Sequence, residues 1–353
     1  MCWDVRKSTV CRVCTAVVPG PRLPRRASIG VALAGGDDDA FSCDGILVGR
    51  VIPDGMAARA GVMAGDTITA IAGLPVRGPW ELATALRRAG ACATASLAVS
   101  DRATTVTTDR CPCDPAVEYG ELAVAGGVRL RTLATAGRAP ALLFVPGIAR
   151  ETVESVSLAV RGHATLRFDR RGVGDSEGDD GDFASELADL AAVLATLVHP
   201  VVLVAHSVGA LAATQLLPDP RVAGMIVYGA FAEPWLQCVA GSIRRQLARD
   251  GAAPDEIARQ LARVATEGHS GRSAAYHAQL AAIDPAAAWA RVDVPLVVGH
   301  GEHDLVAPPD SPERIAALVR GPVACARMPG GDHYLDASAV EWLLDQLEAA
   351  HVE

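Results

Sequence analysis

Across the second half of the chain the apolar positions gather into short runs, at 141–145, 165–168, 201–205, 225–228, 296–299 and 324–328, bounded by turn-forming residues and rich in Val, Leu and Ala. Between these runs, at 152–160, 183–197, 211–217, 312–319 and 337–348, apolar residues recur at helical spacing. Apolar strands alternating with amphipathic helices predict an α/β fold, with a mostly parallel sheet covered by helices on both faces. The N-terminal part reads differently. Its runs at 29–33, 46–52 and 67–72 are bounded by Gly, Asp or Pro and predict short strands, joined by one helix over 79–89 that Gly90 stops. Residues 1–26 show neither period and read as a poorly ordered leader. The Thr-rich, proline-punctuated stretch 104–116 marks the junction, and the expected division is a leader at 1–26, a β-rich domain at 27–108, a linker at 109–117 and an α/β domain at 118–353.

A length of 353 residues exceeds what one core usually organises, in keeping with two domains. The net charge of −9 argues against a nucleic-acid partner, whose phosphates would meet a repulsive field. Every apolar run falls short of the roughly 20 residues that cross a bilayer, so no membrane span is expected. Arg6 and Lys7 precede a stretch broken by Thr9, Cys11, Arg12 and Cys14, a poor secretory signal. Nine cysteines, an odd number, suggest free thiols and a cytoplasmic location. Cys11 and Cys14, with Cys111 and Cys113, are read as incidental thiols rather than zinc ligands; no metal and no cofactor are expected.

Within the N-terminal domain, Pro53-Asp54-Gly55, Ala57-Ala58, Ala60-Gly61 and Gly65-Asp66 stand ahead of Thr67-Ile68-Thr69-Ala70-Ile71. This order resembles a PDZ domain of the bacterial protease-associated type, over about 27–108. The resemblance implies that Ile29, Gly30 and Val31 lie in a loop whose backbone N–H groups receive a peptide C-terminus, with 29–33 as an exposed edge and Trp80 and Thr84 facing the groove.

The chemistry concentrates in the second domain. The apolar run 201–205 leads directly into His206-Ser207-Val208-Gly209-Ala210-Leu211, which opens a helix. A serine on so sharp a strand-to-helix turn needs small residues two positions either side, and Ala205 and Gly209 supply them. The arrangement resembles the nucleophile elbow of the α/β-hydrolase superfamily, in its esterase and serine aminopeptidase-like branch, as does Asp169-Arg170-Arg171-Gly172-Val173-Gly174-Asp175-Ser176 after the second of the runs. That resemblance implies a nucleophile, acid and base in chain order: Ser207, then Asp304 in His300-Gly301-Glu302-His303-Asp304 with Glu302 as competitor, then His333, the one histidine between the last run and His351. His206 is expected to pack rather than react. Val208 and the loop Pro146-Gly147-Ile148-Ala149-Arg150 are implied to form an oxyanion hole, with Ile148 the second donor and Ala149 the alternate. Residues 231–290 fall where the superfamily inserts a helical cap, and Phe231, Trp235 and Tyr276 are candidates for an apolar pocket wall. The expected function is hydrolysis of a small-molecule carboxylic ester through an acyl-enzyme. Thioesterase, peptidase and acyl-transfer cyclase are the enzymatic alternatives, and a non-catalytic peptide-binding adaptor is the other class.

Overall fold

Eight strands form the main path of the nine-stranded central sheet in the computed structural model, which describes residues 10–11, 23–33, 45–150, 152–154, 160, 162–179, 181–197, 200–267, 271–335 and 337–350. They are β1 (Glu118–Ala123), β2 (Arg129–Thr135), β3 (Gly137–Val145), β4 (His163–Phe168), β5 (Val201–His206), β6 (Val222–Tyr228), β7 (Leu296–Gly301) and β8 (Val323–Met328). Their spatial order is β1-β2-β4-β3-β5-β6-β7-β8, with β2 antiparallel to both neighbours and every later pairing parallel. The apolar runs are continuous because each parallel strand is covered on both faces. Alternate residues then serve opposite cores: Leu203 and Ala205 join the cluster holding Leu190, Leu211 and Trp235, while Val202 and Val204 join Leu343 and Leu347.

The helices are α1 (Phe183–Ala195), α2 (Val208–Thr214), α3 (Trp235–Arg249), α4 (Pro254–Glu267), α5 (Ala274–Ala281), α6 (Pro285–Trp289), α7 (Ser311–Ala316) and α8 (Ala337–Ala350). Helices α3 to α6 make up the cap inserted between β6 and β7. Their starts are set by local chemistry: the Ser273 side chain accepts from the Tyr276 N–H and that of Asp284 from the Ala286 N–H. The helix expected over 152–160 falls largely outside the described residues.

The N-terminal domain has a sheet ordered Val31–Leu33, Ile46–Val51, Thr67–Ile71, Thr94–Val99 and Arg102–Thr107, with Leu74–Pro75 paired to Thr67–Ile71. The helix Pro79–Ala89 packs on it over a core including Ile46, Val48, Ile68, Leu82 and Leu97. The strand Arg102–Thr107 corrects the reading of 104–116 as linker, because its β-branched threonines pair with Thr94–Val99 instead of turning. The strip 109–117 is partly structured too, since Asp109 and Arg110 pair with Ser28 and Ala27.

The leader is likewise corrected where it is described. Val10 and Cys11 add to the central sheet opposite Arg138 and Gly137 of β3. Leu23 is buried, and its carbonyl accepts from Arg131 at 2.7 Å. Arg25 and Arg26 both pair with Glu154 and Asp175. A polar segment without period is ordered here by charge pairing with the second domain rather than by burying an apolar face. No helix among the described residues is long and apolar enough to cross a membrane.

Candidate active site

Strand β5 ends at His206, and the chain reverses into α2 through Ser207, whose φ of 53° and ψ of −123° are those of the first central position of a type II′ turn, a conformation that favours glycine. Such a conformation persists only where the surroundings enforce it. Here the Ser207 N–H donates to the Tyr228 carbonyl of the next strand at 2.9 Å. Gly209 meets the demand for a small residue, since a Cβ there would stand 2.4 Å from the Val145 carbonyl oxygen.

Asp304 follows β7 and His333 follows β8, so neighbouring parallel strands deliver both to the same sheet edge. His333 Nδ1 lies 2.9 Å from Asp304 Oδ2, and the carboxylate can only accept, so Nδ1 carries the proton and Nε2 of the neutral ring is an acceptor. The other carboxylate oxygen is pinned by the N–H groups of Val306 and Ala307 at 2.7 and 2.8 Å. Burial works to raise the Asp304 carboxyl, but His333, its hydrogen bond, His300 and the Ala307 N–H together hold it below the ordinary carboxylate range. Glu302, the competitor, is exposed and accepts from the Gly330 N–H. His206 Nε2 donates to the His333 carbonyl at 2.8 Å, and burial beside His333 pushes the His206 pKa down to about 3, so this ring stays neutral. The two imidazoles lie 4.9 Å apart, and no hydrogen bond joins the described Ser207 hydroxyl to His333. Gly229 was missed in the sequence: it has φ 61°, and a Cβ there would come within 2.8 Å of His333 Nδ1.

The loop after β3 lies on the opposite side of Ser207, where a Cβ on Gly147 would stand 3.3 Å from the Ser207 Cβ. Among the described residues the N–H groups of Ile148, Ala149 and Val208 have no hydrogen-bond acceptor. The carbonyls of this loop are engaged by arginines. Arg170 donates to Gly147 O at 2.6 Å and to Ala149 O, and Arg272 donates to Ile148 O at 3.0 Å. Arg171, the neighbour of Arg170, is paired with Asp189.

The model of the alpha/beta hydrolase family matches residues 142–346, more than half of the chain. The chain belongs to the alpha/beta hydrolase family. A PDZ domain model matches residues 47–94 of this family member. Similar solved structures include alpha/beta hydrolase domain-containing protein 10 from mouse, at 18% identity over 66% of this chain and 98% of that one, with a TM-score of 0.47. Est1E from Butyrivibrio proteoclasticus with ferulic acid bound is 18% identical over 67% and 96%, with a TM-score of 0.46. The 2-hydroxy-6-oxo-6-phenylhexa-2,4-dienoate hydrolase of Rhodococcus sp. strain RHA1 is 16% identical over 67% and 100%, at 0.47. No curated protein matches the sequence.

The three residues suggested for an apolar wall are buried in this alpha/beta hydrolase, but their polar atoms are committed. The Trp235 ring is tilted against Phe231, centroids 5.6 Å apart, and its indole N–H donates to His277 at 3.0 Å. The Phe231 carbonyl accepts from Trp289. Tyr276 donates to Glu186 at 3.4 Å and lines a small cavity with Phe183, Val208 and Gly209. In the PDZ-like domain, Gly30 has φ 71° and its N–H donates to Ser28 Oγ, while the Ile29 side chain is buried in the core. Val31–Leu33 is the terminal strand of its sheet among the described residues. With Leu74, Pro75 and Glu81, Thr84 lines a cavity of about 250 Å³ between the two domains, whose other wall is Arg150 and Gly271 of the hydrolase domain. The side chain of Trp80 lies outside the described residues.

Proposed function

We propose that the chain is a serine hydrolase that cleaves carboxylic esters through an acyl-enzyme, with Ser207 as nucleophile, His333 as base and Asp304 as the residue that orients it. The observation that carries this reading is the 2.9 Å bond from His333 Nδ1 to a carboxylate that its own loop immobilises, which leaves Nε2 as the proton acceptor at the sheet edge where the strained Ser207 turn lies. Nε2 takes the Ser207 proton as Oγ attacks the ester carbonyl. The N–H groups of Val208 and Ile148 receive the oxyanion, with Ala149 next in line. His333 then returns the proton to the leaving alcohol, and water, activated by the same ring, releases the acid. Labelling by a fluorophosphonate probe tests this: the full chain should label at Ser207 and hydrolyse p-nitrophenyl acetate, and both should vanish in Ser207→Ala. A folded protein that does neither refutes the reading.

The PDZ-like domain is proposed to recruit a peptide C-terminus along Val31–Leu33, the terminal strand of its sheet among the described residues. Titrating a fluorescent peptide with a free carboxylate against its amidated form tests this, the free form binding more tightly if the reading holds.

A further inference from the structure

Three successive peptide carbonyls after β3 accept from two buried guanidiniums. Arg170 takes Gly147 O and Ala149 O, and Arg272 takes Ile148 O between them. In a trans peptide the C=O and the following N–H point in opposite directions. By holding the Gly147 carbonyl, Arg170 therefore sets the direction of the Ile148 N–H. Arg272, by holding the Ile148 carbonyl, sets that of the Ala149 N–H. Both amides lack an acceptor among the described residues, and the loop abuts Ser207.

The two arginines differ in origin. Arg170 lies just after β4, within the α/β core, whereas Arg272 sits in the cap between α4 and α5, 124 residues from the carbonyl it holds. Its side chain is fully buried, with Nη1 2.7 Å from Glu186 Oε1 of α1 and the guanidinium carbon 4.6 Å above the Tyr276 ring of α5. Glu186 also accepts from Tyr276 and lies 3.5 Å from Arg170. Arg272 can make this set of contacts only with the cap seated on α1.

We infer that Arg272 is a positioning residue through which the cap aligns the oxyanion loop, so that seating of the cap and completion of the oxyanion hole are one event; this rests on the serine-hydrolase reading above. The arginine touches no reacting atom. It acts through the Ile148 carbonyl, and its loss should be felt where charge develops on the substrate oxygen rather than where substrate binds.

The test compares full-length Arg272→Met, Arg272→Lys and the double variant Arg272→Met/Glu186→Gln with wild type and Ser207→Ala, using p-nitrophenyl acetate and fluorophosphonate labelling. The double variant removes both buried charges together, so it keeps the test usable if the single Met variant fails to fold. Lysine keeps the charge opposite Glu186 but lacks the planar fork. Outright loss of an oxyanion donor costs 10²–10³ in kcat, so misaiming one is expected to lower kcat roughly 10- to 100-fold, with KM within about threefold and labelling slowed in parallel. Folded Lys or double variants with kcat within about twofold of wild type overturn the inference, and so does a rise in KM alone, which would make Arg272 a substrate-binding group. Ser207→Ala separates the two readings. If it stays active, the serine-hydrolase reading fails; if it is dead while the Arg272 variants remain fully active, the inference alone fails.

Discussion

The two flanks of Ser207 are held by different means. On the Asp304–His333 flank the Asp304 carboxylate is fixed by N–H groups two and three residues ahead, and Glu302 ties its loop to Gly330, three residues before His333. Arg245 of the cap, on the Leu305 and Val306 carbonyls, and His206, on the His333 carbonyl, add support from farther away. On the flank proposed to receive the oxyanion, the oxyanion flank, the loop at 146–150 is held by side chains from the β4 loop and the cap, backed by Glu186 of α1. The N-terminal domain reaches this second flank as well. Arg87 donates to the carbonyls of Ser176 and Gly178, and the Ser176 hydroxyl donates to the Asp169 carbonyl. The contrast teaches that a carboxylate with N–H donors from its own loop keeps part of its support under distant change, whereas a loop held by remote side chains registers changes in three other parts of the chain.

The comparison breaks most completely if the first flank is not the site of proton transfer. His333→Ala should lower kcat by about 10⁴ or more, measured with a p-nitrophenyl ester. Glycine substitutions then sharpen it. Gly229→Ala combines a φ of 61° with a Cβ 2.7 Å from His333 Cε1, so the ring must move. A displacement near 1 Å can cost 10²-fold, and a kcat loss of about that size is expected, with a lowered melting midpoint. Gly147→Ala faces the other flank, where its Cβ would meet His206 Nδ1 at 2.9 Å and the Ser207 Cβ at 3.3 Å. A flank held by long side chains can give by a few tenths of an ångström, so the expected loss is smaller, roughly tenfold. Equal losses at the two glycines would erase the proposed difference in rigidity.

Titration separates the flanks by sign. Asp169, whose oxygens accept from the N–H groups of Val153 and Asp175 beneath the oxyanion flank, is pushed up to about 6, burial outweighing those hydrogen bonds. The folded state therefore holds a proton that the unfolded chain, with a carboxyl pKa of about 3.9, has released. Its contribution to stability is full below about pH 4 and is lost as pH rises through about 6, on the order of 1–3 kcal/mol. Asp304 runs the other way: held below its ordinary value, it stabilises above that value and loses the contribution as pH falls through the lowered one. Urea midpoints from pH 3 to 7 should show Asp169→Asn gaining on wild type as pH rises, and the deficit of Asp304→Asn narrowing in acid. Parallel slopes for the two variants would contradict the opposite burial and pairing of these carboxylates.

How much of this could be read in advance follows from where each constraint lies along the chain. Ser207 and Gly209 were legible because the clash that selects glycine, with the Val145 carbonyl, arises in every turn of this shape. The six parallel strands were legible because burial on both faces leaves an unbroken apolar run. Strand β2 was not, since it carries Arg131, only 4% exposed, whose guanidinium donates to the carbonyls of Leu23 and Gly120 and lies 3.4 Å from Asp175. Charged residues are ordinarily outside, and nothing local signals that three distant groups converge on this one. The docking of 23–26 was hidden for the same reason. Arg272 sits between Gly271 and Ser273 with no period or motif around it, and its meaning arises only when the Ile148 carbonyl and Glu186 arrive from elsewhere.

The smallest effect belongs to Arg87. Its Nη2 donates to Ser176 O at 2.9 Å and Gly178 O at 2.7 Å, so one side chain ties the helix Pro79–Ala89 to the loop after β4. The residue is half-buried and water can replace it at both carbonyls, so Arg87→Ala is expected to cost only about 1 kcal/mol, a shift in melting midpoint of roughly 2 °C. The loop it touches continues through Ser176 to Asp169 and Arg170, yet Arg170 is also held by the carbonyls it clamps and by Glu186, and these contacts survive the change. kcat should therefore stay within about twofold of wild type. A tenfold fall with an unchanged melting curve would instead add the N-terminal domain to the remote elements that aim the oxyanion loop, and the contrast between the flanks would then extend across both domains.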